Sequence, residues 1–135
     1  MAKKGNNLDE TYGLNIIVFE LPNLDSKEEF VEYIKDGRAK DTDPERFKII
    51  RDEINIYEDF VDYCVTYYSA AEDKKAKKRS KNKDPMILEM AGYVCRHPKN
   101  KNLAVDFDFS HRYYKGHEDK KLVPMAKEFF KNLKL

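Results

Sequence analysis

Residues 60–68 read FVDYCVTYY, and this stretch decides the fold. Along it the more apolar side chains occupy every second position: Val61, Tyr63, Val65 and Tyr67. Because successive side chains of a β-strand point to opposite faces of a sheet, this period of two predicts a half-buried strand.

The same alternation appears in two later stretches, residues 88–95 (LEMAGYVC) and 103–110 (LAVDFDFS). The second connection, HPKNKN at 97–102, has the composition of a turn. Three consecutive strands with loops between them predict an antiparallel meander.

The register of the first two strands determines how the two cysteines lie relative to each other. A hairpin centred on Arg79 and Ser80 places Cys64 opposite Cys95. Opposed residues of antiparallel strands lie about 4.5–5.5 Å apart at Cα, a distance that a disulfide accepts. The register therefore predicts a Cys64–Cys95 disulfide, with two free thiols packed as small apolar side chains as the alternative.

The same reasoning gives a register for the next hairpin. It pairs Val94 with Val105 and Tyr93 with Asp106. Asp106 and Asp108 then lie on a solvated outer face of the sheet, where strand alternation calls for polar residues.

Before the meander, residues 14–21 (LNIIVFEL) are rich in β-branched side chains and predict a strand that stops at Pro22. Ser26 and Glu29 form a capping-box pattern, which predicts a short helix that ends at Gly37. Residues 44–57 fit helical and strand spacing alike, and we favour a strand.

At the other end of the chain, apolar residues recur at helical spacing from Leu122 to Leu133, with Pro124 tolerated in the first turn. The expected fold is α+β: an antiparallel sheet of about five strands with this amphipathic helix and the short N-terminal helix packed on it. We expect one domain over residues 12–135, preceded by a flexible N-terminus over residues 1–11.

Length and composition restrict the class of protein to which the chain can belong. The chain has 135 residues, 41% of them hydrophobic and 38% charged, which suits one soluble domain with a polar surface. The 26 basic and 25 acidic residues nearly cancel, so any attraction to polyanions must be local. No apolar run approaches the length of a membrane span, and MAKKGNNLDE at the start has no signal-peptide core.

Residues 74–83, KKAKKRSKNK, are the one strongly basic segment. Its candidate contacts to a polyanion are Lys74, Lys75, Lys77, Lys78, Arg79, Lys81 and Lys83. A nuclear-import-like patch or a phosphate-binding loop is one interpretation; a solvated hairpin loop whose like charges repel is the other. The predicted strands on both sides favour the loop.

Few residues are candidates for chemistry. His97, His111, Asp106 and Asp108 form a weak set of metal ligands or acid–base groups, with His117, Glu118 and Asp119 nearby in the sequence. Their spacing matches no known zinc or protease motif, and no nucleophile elbow or phosphate loop exists. We expect no cofactor and assign no catalytic residue.

Four short segments carry a resemblance: DTDP at 41–44, YCV at 63–65, GYVCRHP at 92–98 and SHRYYKG at 110–116. In these the chain resembles a group of bacterial cell-envelope proteins, many of which are made with a lipoprotein leader. The resemblance implies export, a periplasmic or lipid-anchored form and the Cys64–Cys95 bridge; it implies no activity. This sequence departs from the group in having no lipid-attachment cysteine before position 64.

The function expected from these observations is a non-enzymatic binding or interaction protein of the bacterial envelope, with other envelope proteins as partners. One alternative is a small envelope hydrolase or metal-dependent enzyme that uses His97, His111, Asp106 and Asp108. The other is a nucleic-acid binder that acts through residues 74–83, although nucleic acid is not the expected partner. A cytoplasmic location is the alternative to the envelope.

Overall fold

The computed structural model describes residues 10–74, 85–118 and 120–133. Its elements, in chain order, are β1 (Thr11–Glu20), α1 (Lys27–Asp41), β2 (Phe47–Ile56), β3 (Cys64–Asp73), β4 (Met86–His97), β5 (Asn100–Tyr114) and α2 (Leu122–Asn132). The strands form one antiparallel sheet in the order β1-β5-β4-β3-β2. The prediction of an α+β fold with a five-strand antiparallel sheet and two helices is confirmed. Within these residues, no helix has the length and apolar content that crossing a membrane requires.

Helix α1 begins as its sequence predicts. Ser26 Oγ accepts a hydrogen bond from the Glu29 amide at 3.1 Å, and the Glu29 carboxylate accepts one from the Asp25 amide at 2.8 Å. The prediction that Gly37 ends the helix was wrong. A glycine inside a helix costs only about 1 kcal/mol, and the helix continues until Pro44 approaches, before which helical backbone is disfavoured.

The ambiguous segment 44–57 contains a strand, β2, as we favoured. Strand β3 begins at Cys64, four residues later than the sequence pattern indicates. Residues 57–63 form a turn in which Val61 is 84% exposed, so its apolar side chain contributed a false strand signal.

The β3–β4 register is the predicted one. Cys64 lies opposite Cys95 and Tyr67 opposite Gly92. A disulfide joins Cys64 to Cys95, and the described residues contain no free cysteine.

The predicted β4–β5 register was wrong by one residue: Val94 faces Asp106 instead of Val105. The cause is an irregularity after Arg96, which pairs with Ala104, while His97 already pairs with Asn100. In this region the Asn102 carbonyl accepts a hydrogen bond from the amide of Leu21, which follows β1, at 2.7 Å. Because side chains alternate, this one-residue shift moves every side chain of β5 to the other face relative to β4.

The sheet therefore has two covered faces. On the face that carries the disulfide, here called the disulfide face, Phe130 of α2 stacks on Tyr93 and Phe107 with ring centroids 4.1 and 4.9 Å apart. On the opposite face, here called the Tyr67 face, Phe30 and Ile34 of α1 pack in a second cluster, which contains Val65, Tyr67, Val94 and Ala104.

Candidate functional site

The four residues considered as an active site do not come together. Asp106 and Asp108 lie on the Tyr67 face, whereas His111, an odd number of residues away on the same strand, lies on the disulfide face against the Tyr12 ring. His97 is the last residue of β4, next to the β4–β5 turn, and its Nδ1 accepts a hydrogen bond from the Lys99 amide. Among the described residues, no three His, Cys, Asp or Glu side chains are grouped to hold a metal ion.

Asp106 and Asp108 are not on a solvated outer face. Asp108 is only 4% exposed. The shifted register turns both carboxylates toward Tyr67, whose Oη lies 2.9 Å from Asp106 Oδ1 and 3.0 Å from Asp108 Oδ2. Asn15 of β1 donates a longer hydrogen bond, 3.4 Å, to the other oxygen of Asp108.

The hydrogen bonds between Tyr67 and the two aspartates depend on whether an aspartate is protonated. A phenol has one hydroxyl hydrogen, so Tyr67 can donate to only one of the two carboxylates at a time. The second contact becomes a hydrogen bond only if an aspartic acid is protonated and donates to the phenol oxygen. Burial is the main cause that raises the pKa of Asp106 from 3.8 to about 6, and burial with the two carboxylates raises the pKa of Tyr67 as well.

Two neighbours hold Tyr67 in this position. A Cβ atom on Gly92 would lie 2.8 Å from Tyr67 Oη and 2.5 Å from the Phe107 carbonyl oxygen, so the phenol occupies space that only glycine leaves open. From α1, the Arg38 guanidinium lies 3.9 Å above the Tyr67 ring centroid. The Arg38 charge partly offsets the rise in the pKa of Asp106.

An open cavity of about 320 Å³, here called the Tyr67 cleft, lies between the end of α1 and the Tyr67 face. Its polar lining comprises Asn15, Arg38, Asp41, Thr42, Tyr67, Ser69, Asp106 and Asp108. Its apolar lining comprises Ile17, Phe47, Ile49, Ala71, Leu88 and Met90. The cleft thus combines an apolar wall with three carboxylates and one cation, which suits an amphipathic ligand with a positive group.

A separate charged cluster stabilises the same face. Asp73, 1% exposed, accepts two hydrogen bonds from Arg46 at 3.2 and 2.9 Å and one from Arg112 at 3.0 Å. Two guanidinium groups therefore bind one buried carboxylate, an arrangement that compensates a buried charge.

Of the basic run, the structure describes only Lys74, whose Nζ donates to the Pro44 carbonyl at 2.9 Å. The remaining predicted contacts, Lys75, Lys77, Lys78, Arg79, Lys81 and Lys83, lie outside the described residues, as does Asp119. His117 lies 2.9 Å from the Glu10 carboxylate. Neither it nor Glu118 lines the Tyr67 cleft.

Sequence reasoning missed Tyr67 and Arg38 as site residues. The strand pattern indicates only a sheet-face role for Tyr67, and Arg38 follows the glycine at which the helix is predicted to end. One available signal was the pairing of Tyr67 with Gly92 in the predicted register, because a glycine opposite a large side chain indicates close approach.

Comparison of the chain with protein-family models, with curated proteins and with solved structures found no match.

Proposed function

We propose that the protein is a non-enzymatic binding module of the bacterial cell envelope, and that its ligand occupies the Tyr67 cleft. The observation that carries the proposal is the placement of Asp106 and Asp108 on one tyrosine hydroxyl in a partly apolar cavity. When both aspartates are ionised, this arrangement places two carboxylates against one hydroxyl proton. A ligand with an ammonium or guanidinium group on an apolar body would supply the missing charge and hydrogen bonds.

Two observations support the envelope as the location. The Cys64–Cys95 disulfide suits an oxidising compartment such as the periplasm. The resemblance of GYVCRHP and SHRYYKG to envelope proteins points the same way. A periplasmic or lipid-anchored form, and other envelope proteins as partners, are part of this proposal.

Binding is preferred to catalysis because the groups that an enzyme would need are apart. A histidine base would have to reach the carboxylates, yet His111 is on the opposite face and His97 is at the end of β4, next to the turn. The carboxylates are instead held by a tyrosine and an asparagine, which are suited to orienting a charge.

The test compares three ligands of equal length, n-hexylamine, 1-hexanol and hexanoate, by NMR chemical-shift titration of the isotope-labelled protein at pH 7.5. We expect hexylammonium to shift the amide signals of residues that line the Tyr67 cleft and hexanoate to leave them unchanged. Asp106→Asn should weaken hexylammonium binding by about tenfold or more, because a charge-assisted hydrogen bond contributes about 1.5–3 kcal/mol.

Asp36→Asn is the matched control. Asp36 is an exposed carboxylate on α1 that does not line the cleft, and this variant should bind hexylammonium as the natural protein does. Equal binding of hexanol and hexylamine, or unchanged affinity in Asp106→Asn, would contradict the proposal.

A further inference from the structure

The two edges of the sheet differ in how they are protected. Edge strand β2 carries four charged residues, Lys48, Arg51, Asp52 and Glu53, and its register is interrupted between Ile49 and Arg51. Charges and bulges of this kind prevent an edge strand from pairing with another chain. Edge strand β1 has neither over residues 11–19: it contains no charged residue or proline there, and its register with β5 is continuous.

Strand β1 is also apolar and exposed. Ile16 and Val18 on the disulfide face are 54% and 59% exposed, and Ile17 on the Tyr67 face is 53% exposed. Leu14 is 46% exposed. An uncharged edge with apolar side chains on both faces is the type of surface that another strand covers.

Among the described residues, no segment pairs with the outer edge of β1, which is the terminal strand of the sheet.

We propose that β1 pairs antiparallel with β1 of a second copy of the chain, about a two-fold axis at Ile16. This register places Ile16 opposite its counterpart, Leu14 opposite Val18, and Asn15 opposite Ile17. Apolar side chains thus meet apolar side chains across the disulfide face. The one charged residue of the strand, Glu20, lies opposite Tyr12 of the other copy, so no like charges are opposed.

The size of the surface supports a symmetric pair. The exposed surface of Tyr12, Leu14, Ile16, Ile17 and Val18 is about 500 Å² per copy, so a pair that covered all of it would bury about 1,000 Å², the lower limit of specific protein interfaces. A two-fold axis uses the same strand on both copies, which is the commonest geometry of protein dimers.

Sedimentation velocity of the full chain, from low to high micromolar concentration, tests the pairing. We expect a concentration-dependent dimer, and a monomer throughout for Ile16→Lys, since two lysines would meet at the axis. Ile50→Lys, a change at an equally exposed residue (58%) on the other edge strand, should dimerise as the natural protein does. A natural chain that stays monomeric, or loss of the dimer in both variants alike, would overturn the proposal.

Engineered cysteines test the register. Ile16→Cys should form a covalent dimer on oxidation, because opposed residues of antiparallel strands lie within disulfide reach. Leu14→Cys should not, since the two copies of residue 14 would be four residues apart in register, about 13 Å. Cross-linking of Leu14→Cys at the same yield as Ile16→Cys would refute the axis at Ile16.

Discussion

At the scale of single residues, the Tyr67 hydroxyl is the centre of the candidate site. It contacts two carboxylates with one proton, and it fits only because its cross-strand partner is Gly92. The phenol, the glycine and the two aspartates therefore depend on one another: a change at one alters the packing or the proton balance at the others.

The first prediction concerns Gly92. In Gly92→Ala the new Cβ would lie 2.5 Å from the Phe107 carbonyl oxygen, a backbone atom that cannot move without disturbing β5. We expect the free energy of unfolding, measured by urea denaturation, to fall by about 3 kcal/mol.

Gly37 provides the matched comparison. It lies within α1, and a Cβ atom added to it would meet no other atom within 4 Å, so Gly37→Ala should raise the free energy of unfolding by about 0.5–1 kcal/mol. Two Gly→Ala changes of equal effect would show that the close packing around Tyr67 has been misjudged.

The second prediction concerns Asp106 and pH. Its pKa in the folded protein, about 6, is above its ordinary value of 3.8, so the folded state binds more protons between these values. The contribution of Asp106 to stability therefore falls as the pH rises from about 4 to about 6, by at most about 3 kcal/mol, and stays lower above that range. Asp106→Asn should remove this loss.

Thermal unfolding from pH 4 to pH 7.5 measures the effect. The melting temperature of Asp106→Asn, relative to the natural protein, should rise as the pH increases. Parallel pH profiles for the two proteins would show that Asp106 does not carry the proton.

At the scale of elements, strands were predicted well where apolar and polar side chains alternate without interruption. The pairing of Cys64 with Cys95 followed from symmetry about one loop, because β3 and β4 are regular between the loop and the bridge. The β4–β5 register could not be predicted in this way. The extra residues before Ala104 form hydrogen bonds to Leu21, a contact with a distant part of the chain that local periodicity does not encode.

Because the β4–β5 register was predicted incorrectly, the candidate site around Tyr67 was not recognised from the sequence. With Asp106 opposite Tyr93, the two aspartates are placed on an outer face; with Asp106 opposite Val94, they face Tyr67. Arg38 was missed for a different reason. Gly37 is a stop signal only when the following residues leave the helix, and here they continue it.

The third prediction concerns the disulfide. The bridge closes a segment with a sequence separation of 31, which in the chain-entropy model contributes about 3–4 kcal/mol. The double variant Cys64→Ala, Cys95→Ala should lose about that much free energy of unfolding by urea denaturation. A reducing agent should destabilise the natural protein and leave the double variant unchanged; an equal response of both would contradict the prediction.

The fourth prediction concerns Asp73. Asp73→Ala would leave Arg46 and Arg112 without the buried carboxylate that both bind, and we expect a loss of about 3–5 kcal/mol in the free energy of unfolding. Glu53→Ala, which removes the partner of Arg51 from an exposed pair, should cost less than about 1 kcal/mol. Urea denaturation of both variants tests this, and equal losses would contradict it.

At the scale of the whole molecule, the sequence predicted the class of fold but not the use of both sheet faces. We expected polar outer positions on β5, whereas α1 and α2 pack on opposite faces of the sheet. Length and composition are compatible with either arrangement. The distribution of apolar residues on β5 becomes informative only once the β4–β5 register is known.

The fifth prediction concerns the connection between β3 and β4. The paired residues of these strands extend to Glu72 and Ile87, and the disulfide fixes their other end. Replacing residues 75–84 with a Gly/Ser segment should therefore change the free energy of unfolding by less than about 1 kcal/mol and leave the bridge intact. Circular dichroism and thiol titration measure both properties, and loss of the sheet would show that the basic run is structural.

The pairing of β1 with β5 also bears on how the chain folds. Ile16 pairs with Phe107 of β5, so β1 can join the sheet only after β5 has been made. Contacts so distant in sequence are slow to form, whereas β3, β4 and β5 can pair with near neighbours. During synthesis or transport, β1, with its exposed apolar side chains, would therefore remain unpaired until β5 is available, and in that interval the nascent chain most needs protection from aggregation.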